Sequence, residues 1–455
     1  MPKKKTALTI EERLQQALVP AEEQPYEVPE NWVWVYGKNI LMPMESKKPD
    51  GEDFYYIDID AIDNKNQVVT EAKKIKTAQA PSRASRKLHT GDTVFSLVRP
   101  YLKNIAYIDE QLSECIASTG FFVCTPNATL NDKYLYNLMV SSYVVDGLNK
   151  YMKGDNSPSI RKDDIENYPF PLPPLSEQQR IVERIDELFA KLDEAKERLQ
   201  EVADSFAVRK AAILHKAFTG ELTKQWRREN GVSDESWEEK TIGDVAQVKG
   251  GKRIPKGMSL CFENTGHPYI KAGNLKNGTV IDESMMYVSD EVLKYIKNYT
   301  VSAGDVYITN VGACIGDCGI IPEKYDGANL TENAVKLTDI SCNNKFLHLF
   351  LASEQTQSSI KESIASATLG KLSIANIKKI IVLLPSLPEQ HEIVRLIDEL
   401  LARERSAQQA AEQALASIDL MKKSILARAF RGELGTNKAS EASALELLKQ
   451  VLAEN

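Results

Sequence analysis

Between Glu177 and Phe218 the apolar residues fall at Ile181, Ile185, Leu188, Leu192, Ala195, Leu199, Val202 and Phe206, in steps that alternate four and three. That period marks a long helix whose apolar seam faces a second helix. No Pro or Gly interrupts the pattern until Gly220, which stands where a C-cap glycine belongs. Pro173 and Pro174 precede it, and Ser176 is the expected N-cap. At 1.5 Å per residue the rod is roughly 60 Å long and cannot fold back into one core, so it needs a partner helix.

The partner lies in the same chain. Glu389–Phe430 repeats the pattern at an offset of 212 (389 − 177), with the seam Ile393, Ile397, Leu400, Glu404, Ala407, Ala411, Ala414, Ile418, Met421 and Ile425. The flanks repeat as well. Pro173-Pro174-Leu175-Ser176-Glu177-Gln178 matches Pro385-Ser386-Leu387-Pro388-Glu389-Gln390, and Ala217-Phe218-Thr219-Gly220-Glu221-Leu222 recurs as Ala429-Phe430-Arg431-Gly432-Glu433-Leu434. A repeat of this length sets the architecture. It predicts an intramolecular pair of helices, with closer and weaker contact midway, where Glu404 and several alanines occupy the second seam.

The segments before each helix repeat too. Residues 30–172 alternate in the manner of strands around Trp32 and Trp34, Tyr55–Ile59, Thr93–Val98 and Phe121–Cys124, followed by a helix over Asp132–Met152. Residues 223–384 keep that order: Tyr269-Ile270 answers Tyr56-Ile57, and Gly304-Asp305 answers Gly91-Asp92. The predicted organisation is a helical arm (1–29), a mixed α/β domain (30–172), a spacer helix (173–222), a second mixed domain (223–384), a second spacer helix (385–434) and a helical tail (435–455). The fold class is α+β. Thr9-Ile10-Glu11-Glu12 and Ser443-Ala444-Leu445-Glu446 are capping-box patterns that open short amphipathic helices near the two ends. Alone these are too small to be stable and should dock on something.

Composition narrows the chemistry. The 455 residues, 42% hydrophobic and 27% charged, suit a soluble protein of two or more domains. No run of eighteen apolar residues could span a bilayer, and Met1-Pro2-Lys3-Lys4-Lys5 leads into no apolar core of a signal peptide. Six scattered cysteines lack framework or zinc spacing and read as reduced thiols of the cytosol. There is no phosphate loop, since Gly370-Lys371 runs into Leu372, and no Asn-Pro-Pro-aromatic or Asp-Pro-Pro-aromatic tetrapeptide. His89, His215, His267, His348 and His391 are isolated. One nuclease-like string occurs: Pro49-Asp50 precedes Glu71-Ala72-Lys73, and two carboxylates with a lysine suit a Mg²⁺ site. Asp50 equally suits a Lys-Pro-Asp-Gly turn, and the second half has no counterpart.

Net charge is −7, which argues against a uniformly basic nucleic-acid binder but leaves room for local basic faces. Lys73, Lys74, Lys76, Arg83, Arg86 and Lys87 crowd one polar stretch, and Arg99 follows Val98 at a strand end. In the second domain Lys249, Lys252, Arg253 and Lys256 share a loop with Gly250 and Gly251. Such clusters suit phosphate contact, with Arg also able to pair with guanine. The alternative for each is a solvated charged loop.

The paired lead-ins Pro-Leu-Pro-Pro-Leu-Ser-Glu-Gln and Leu-Leu-Pro-Ser-Leu-Pro-Glu-Gln, the paired Ala-Phe-x-Gly-Glu-Leu exits, and Val28-Pro29-Glu30-Asn31-Trp32-Val33-Trp34 resemble the specificity subunit of type I restriction-modification systems. The resemblance covers nearly the whole chain. It implies two target-recognition domains, each reading one half of a bipartite DNA site, held apart by an antiparallel coiled coil. It also implies a non-catalytic subunit whose partners are two methyltransferase subunits and restriction/motor subunits. Adenine-N6 methylation, S-adenosylmethionine, ATP and Mg²⁺ belong to those partners, and this chain binds no cofactor. The second domain departs from the pattern, because Glu235-Ser236-Trp237-Glu238-Glu239 lacks the Pro and the second Trp. Two other readings stay open: a Mg²⁺ nuclease built on Asp50, Glu71 and Lys73, and a coiled-coil scaffold without a DNA role.

Overall fold

The computed structural model describes residues 9–365 and 370–454; the Lys3–Lys5 run lies outside them. The chain divides into two units, one comprising residues up to Leu199 together with those from Gln413, the other Gln200–Glu412.

In the first unit, the Thr9 capping box closes both ways with Glu12 and opens α1 (Ile10–Ala17). Strand β1 (Val33–Tyr36) is followed by β2 (Asp53–Ile57), β3 (Lys73–Lys76), β4 (Ala84–Lys87), β5 (Thr93–Ser96), β6 (Ile105–Tyr107), β7 (Ile116–Ser118) and β8 (Phe121–Cys124). Gly91 takes φ 91° before β5, and the buried Asp92 carboxylate accepts the His89 N–H at 2.7 Å, which accounts for the Gly-Asp pair. The single helix expected over Asp132–Met152 is two, α2 (Asp132–Val140) and α3 (Ser142–Asn149). Ser141 ends the first and its hydroxyl accepts from Val144 N–H, capping the second. Strand β9 (Pro169–Leu172) returns antiparallel to β1, with Val33 opposite Leu172. Two larger sheets, antiparallel β8-β5-β6 and β3-β2-β7-β4, in which β2 and β7 are parallel, stand beside a short ribbon of Ile62–Asp63 and Val68–Val69.

Helix α4 (Leu175–Asp204) follows. Its first turn starts on the Pro174 carbonyl, which accepts the Gln178 N–H at 3.0 Å. Ser176 is therefore inside the helix rather than its N-cap, and its hydroxyl bonds to Glu441. The expected unbroken helix to Phe218 is interrupted at Ser205. Its hydroxyl donates back to Glu201 O at 2.7 Å and Val202 O at 3.1 Å, a side-chain bond that bends helices. Beyond it, α5 (Phe206–Phe218) belongs to the second unit.

That unit repeats the plan. The main strands are β10 (Glu238–Thr241), β11 (Gln247–Gly250), β12 (Pro268–Ile270), β13 (Met286–Tyr287), β14 (Val306–Thr309), β15 (Cys318–Ile320), β16 (Asn329–Leu330), β17 (Ala334–Thr338) and β18 (Ile381–Leu384), beside a short ribbon of Leu275–Lys276 and Thr279–Val280, with helices α6 (Asn344–Leu351) and α7 (Glu354–Ala365) after β17. Sheet β11-β17-β14-β15 contains the counterpart of β8-β5-β6; β12 and β16 are parallel, as β2 and β7 are. Strands β10 and β18 pair as β1 and β9 do. Asp305 accepts the Ser302 N–H at 2.9 Å as Asp92 accepts that of His89. The two domains share one core topology, to which the first adds edge strand β4 and the second edge strand β11.

Helix α8 (Leu387–Ala429) starts in the second unit and ends in the first. In each unit the struts run antiparallel. In the first, Ile181 and Ile185 share a core with Leu426, Ala429 and Phe430, and Asp193 pairs with Lys422 at 2.6 Å. In the second, Leu214, Ala217 and Phe218 pack with Ile393, Ile397 and Leu401, and Arg209 pairs with Glu404. Helix α9 (Ala444–Glu454) packs against α1 in the first unit, with Arg13 donating to Leu452 O at 3.1 Å. The two terminal helices dock together.

The Glu-Gln of each lead-in seats the domain on its strut. Gln178 accepts from the Asn131 N–H at 2.7 Å and donates to Thr129 O, while Gln390 accepts from the Asn343 N–H at 2.8 Å. Asn131 and Asn343 are the N-caps of α2 and α6. Glu177, fully buried, accepts from Trp32 Nε1 and Asn437 Nδ2, both at 2.8 Å, and from Thr436 Oγ1 at 3.3 Å. Glu389, also fully buried, accepts from Thr223 Oγ1 and Arg227 Nη1, both at 2.7 Å. Gly432 lies against Pro29 and Trp32, and Gly220 against Arg227 and Trp237, both at positive φ. Both exits use the left-handed backbone that glycine adopts freely, and at Gly432 a Cβ would also lie 2.5 Å from Pro29.

Candidate nucleic-acid interface

Most candidate cations of the first domain lie on the two edges of one sheet. Strand β3 is one edge and contributes Lys73, Lys74 and Lys76, while Ile75 between them packs on Phe54, Tyr56 and Ile116. Strand β4 is the other edge and carries Arg86 and Lys87, with Arg83 in the turn before it. Edge strands place alternate side chains in solvent, so a run of lysines there makes an exposed cationic border.

Acids compensate part of this charge. Lys73 pairs with Asp60 at 2.5 Å, Lys74 with Asp53 at 3.0 Å and Lys87 with Glu45 at 2.6 Å. All six partners are exposed or half-exposed, and such pairs are worth ~0–1 kcal/mol, so a phosphate can displace the carboxylate. Lys76 and Arg83 are exposed with no ion-pair partner among the described residues. The Arg86 Nε is buried without a hydrogen bond. Arg99 lies apart from the sheet edges, in the hairpin after β5, where its Nη2 donates to Asn156 O at 2.8 Å.

In the second domain, Lys249 stands on edge strand β11, 3.9 Å from Asp339. Gly251 is indispensable, since a Cβ there would lie 2.1 Å from Thr331 O. The next residues swing outward: Lys252 over the Tyr299 ring at 5.4 Å, Arg253 against Glu332, and Lys256 exposed with no ion-pair partner among the described residues. The structure brings these four cations to one strand end and its loop.

Two cations escaped the sequence reading. Lys47 and Lys48 lie beside β4, where Lys47 N–H donates to Ser85 O at 3.0 Å and Ser46 bridges Arg86. The repeat carried the signal: Lys47 is fifteen residues past Trp32 (47 − 32), as Lys252 is past Trp237 (252 − 237). The two domains therefore share one basic segment, and the first adds β3 and β4 as further cationic edges.

No hydrogen bond or ion pair among the described residues joins Asp50, Glu71 and Lys73. Lys73 is held by Asp60, and Asp50 meets the end of β3 through its carbonyl, which accepts from Thr77 Oγ1. Among the described residues no group of three or more His, Cys, Asp or Glu is placed to hold a metal, and no helix is long and apolar enough to cross a membrane.

A duplicated α/β domain with a cationic border, each copy hydrogen-bonded onto a long paired helix, defines a tandem DNA-recognition protein. The chain belongs to the family described as "Type I restriction modification DNA specificity domain", whose model matches residues 38–204 and 234–414. It is 30% identical over 316 residues to the type I restriction enzyme EcoBI specificity subunit of Escherichia coli, covering 62% of this chain and 64% of that one, slightly under two thirds. Its identity to the EcoKI specificity subunit of Escherichia coli (strain K12) is 25% over 366 residues, 75% of either chain. The crystal structure of the HsdS subunit from Thermoanaerobacter tengcongensis superposes with a TM-score of 0.69 at 25% identity, covering 90% of this chain and 99% of that one. The family is one of specificity subunits, whose part is DNA recognition rather than catalysis.

Proposed function

We propose that this chain is the DNA-recognition subunit of a cytoplasmic type I restriction-modification assembly. Each domain reads one half of a bipartite, asymmetric site, and the paired helices set the distance between the halves. Two methyltransferase subunits methylate adenine N6 with S-adenosylmethionine, and restriction/motor subunits use ATP and Mg²⁺. This chain supplies sequence choice and binds none of those cofactors.

The observation that carries the reading is two domains of one topology with unlike cationic edges. Identical readers on a pseudo-two-fold axis would select a palindrome, whereas unlike ones select two different half-sequences. Lys73, Lys74, Lys76, Arg83, Arg86, Lys87, Arg99, Lys249, Lys252, Arg253 and Lys256 are assigned mainly to phosphate.

Mapping methylated adenines across the genome of a host with and without the chain tests this. The expected result is one motif with two dissimilar halves around a fixed gap, lost on deletion. A palindrome, or no change on deletion, overturns it. Plasmid cutting by the purified chain with Mg²⁺ alone, abolished by Asp50→Ala, would favour the nuclease instead.

A further inference from the structure

Arg253 differs from the other cations of its loop in how it is held. Lys252 before it is tied at both ends: its N–H donates to Leu330 O and its carbonyl accepts from Tyr269 Oη, both at 2.9 Å. Ile254 after it packs against the cluster of Tyr269, Val288, Val292 and Ile296. The backbone of Arg253 is thus pinned on either side, while its side chain stands 76% exposed.

One carboxylate grips that side chain. Glu332 accepts from Arg253 Nε through Oε1, and its Oε2 accepts from Thr331 Oγ1 at 3.2 Å. Glu332 sits in the tight turn between β16 and β17, where Ala334 N–H donates to Thr331 O at 3.3 Å and Thr331 N–H donates to Ile270 O at 3.0 Å. An ion pair between two free surface side chains would be a weak brace. Here the carboxylate is half-buried and the turn beneath it is fixed to β12. Arg253 Nη1 and Nη2 have no hydrogen-bond partner among the described residues. The guanidinium is therefore held at its inner nitrogen and offers its outer edge to solvent.

Two consequences follow for what that edge can bind. A planar fork that is already braced loses less freedom on binding than a loose one. An Arg-Glu pair is also close to neutral, so it gains little from a phosphate, while its outer N–H groups still match O6 and N7 of guanine. The first domain lacks the pair. Lys48 is sixteen residues past Trp32 (48 − 32), as Arg253 is past Trp237 (253 − 237). Thr119 is three past Ile116, the parallel partner of Tyr56, as Glu332 is three past Asn329, the parallel partner of Tyr269.

We propose that Arg253 reads a guanine through the major groove in the half-site of the second domain, and that Glu332 is its positioning residue. The inference rests on the function proposed above and moves Arg253 from phosphate to a base edge.

The test uses the full chain assembled with its host's modification subunits, with the methylated motif mapped and duplex binding followed against KCl concentration. Arg253→Ala and Arg253→Lys should each relax one guanine in one half of the motif, cutting its preference over other bases about ten- to a hundredfold. The other half should stay intact, and the slope of log K against log salt should change by less than about half a unit. Lys256→Gln, a phosphate contact, should lower that slope by about one with the motif unchanged. Glu332→Ala should relax the same guanine and steepen the slope, because the freed cation is left to attract phosphate. Glu332→Gln keeps an acceptor for Nε but removes the charge, so it should steepen the slope and retain more of the guanine preference. A merely structural role for Glu332 would lower the melting temperature and move neither readout at that one base. Arg253 variants that leave every base preference unchanged, or that relax a position other than guanine, overturn the assignment. A parent assembly with a two-part motif that Arg253→Ala leaves intact sinks only this inference, whereas a parent assembly that methylates no defined motif sinks the function proposed above as well.

Discussion

The most consequential residues are two buried glutamates that serve no chemistry. Glu177 is held by neutral donors from Trp32, Thr436 and Asn437, whereas Glu389 is held by the cation of Arg227. Removing one partner of a buried ion pair strands the other charge, at about 3–5 kcal/mol. Arg227→Ala should therefore destabilise the second unit by that order in urea unfolding. Combining it with Glu389→Gln should recover part of the loss, because the stranded group is then neutral. His348 gives a second prediction. Burial, aided by Lys210 and Lys345, lowers its pKa from 6.5 to about 4. The unfolded chain then binds the extra proton between those values, so stability is fully present above about pH 6.5 and falls as pH drops toward 4. His348→Gln should remove on the order of 2 kcal/mol from that acid-side loss, read as the difference between variant and parent unfolding midpoints at pH 7 and 4.5. Glu177 and Glu389 stood out in the repeat as paired motifs. Their burial did not, because nothing local tells a helix's first-turn glutamate that a tryptophan or an arginine will cover it.

At the scale of elements, the heptad seam was legible and its wandering was not. Val202 and Met421 fall on the expected seams yet are 39% and 50% exposed, while Leu401 and Leu426, off the expected seam, are buried. A straight α-helix drifts about 20° per heptad, so a strict seven-residue reading slips off the true contact line. Glu404, on the seam, is met by Arg209. The break at Ser205 was equally hidden, since a single serine is compatible with a helix interior until its hydroxyl turns back on the carbonyls. A heptad inserted in both struts adds about 10 Å of helix, or about three base pairs of DNA. The methylation motif should keep both half-sequences and lengthen its central gap by that amount; an altered half-sequence would mean the struts do more than space.

For the whole molecule, the shared topology with unlike edges implies modularity. Replacing residues 30–172 with the matching domain of a relative should change one half of the methylated motif and leave the other intact, provided the incoming domain supplies donors in place of Trp32 Nε1 to Glu177 and the Asn131 N–H to Gln178. A change in both halves would show the domains to be coupled readers. The repeat, the α+β order, the paired helices and the basic stretches were all written in the chain, because periodicity, caps and turn residues act over a few positions and survive without knowing the fold. What only folding decided was which distant segments meet. The tail's Thr436 and Asn437 reach back to Glu177, α9 shelters α1, and Lys47 lies against β4. Those meetings depend on how sheets twist and struts cross, which long-range packing sets and no local pattern encodes.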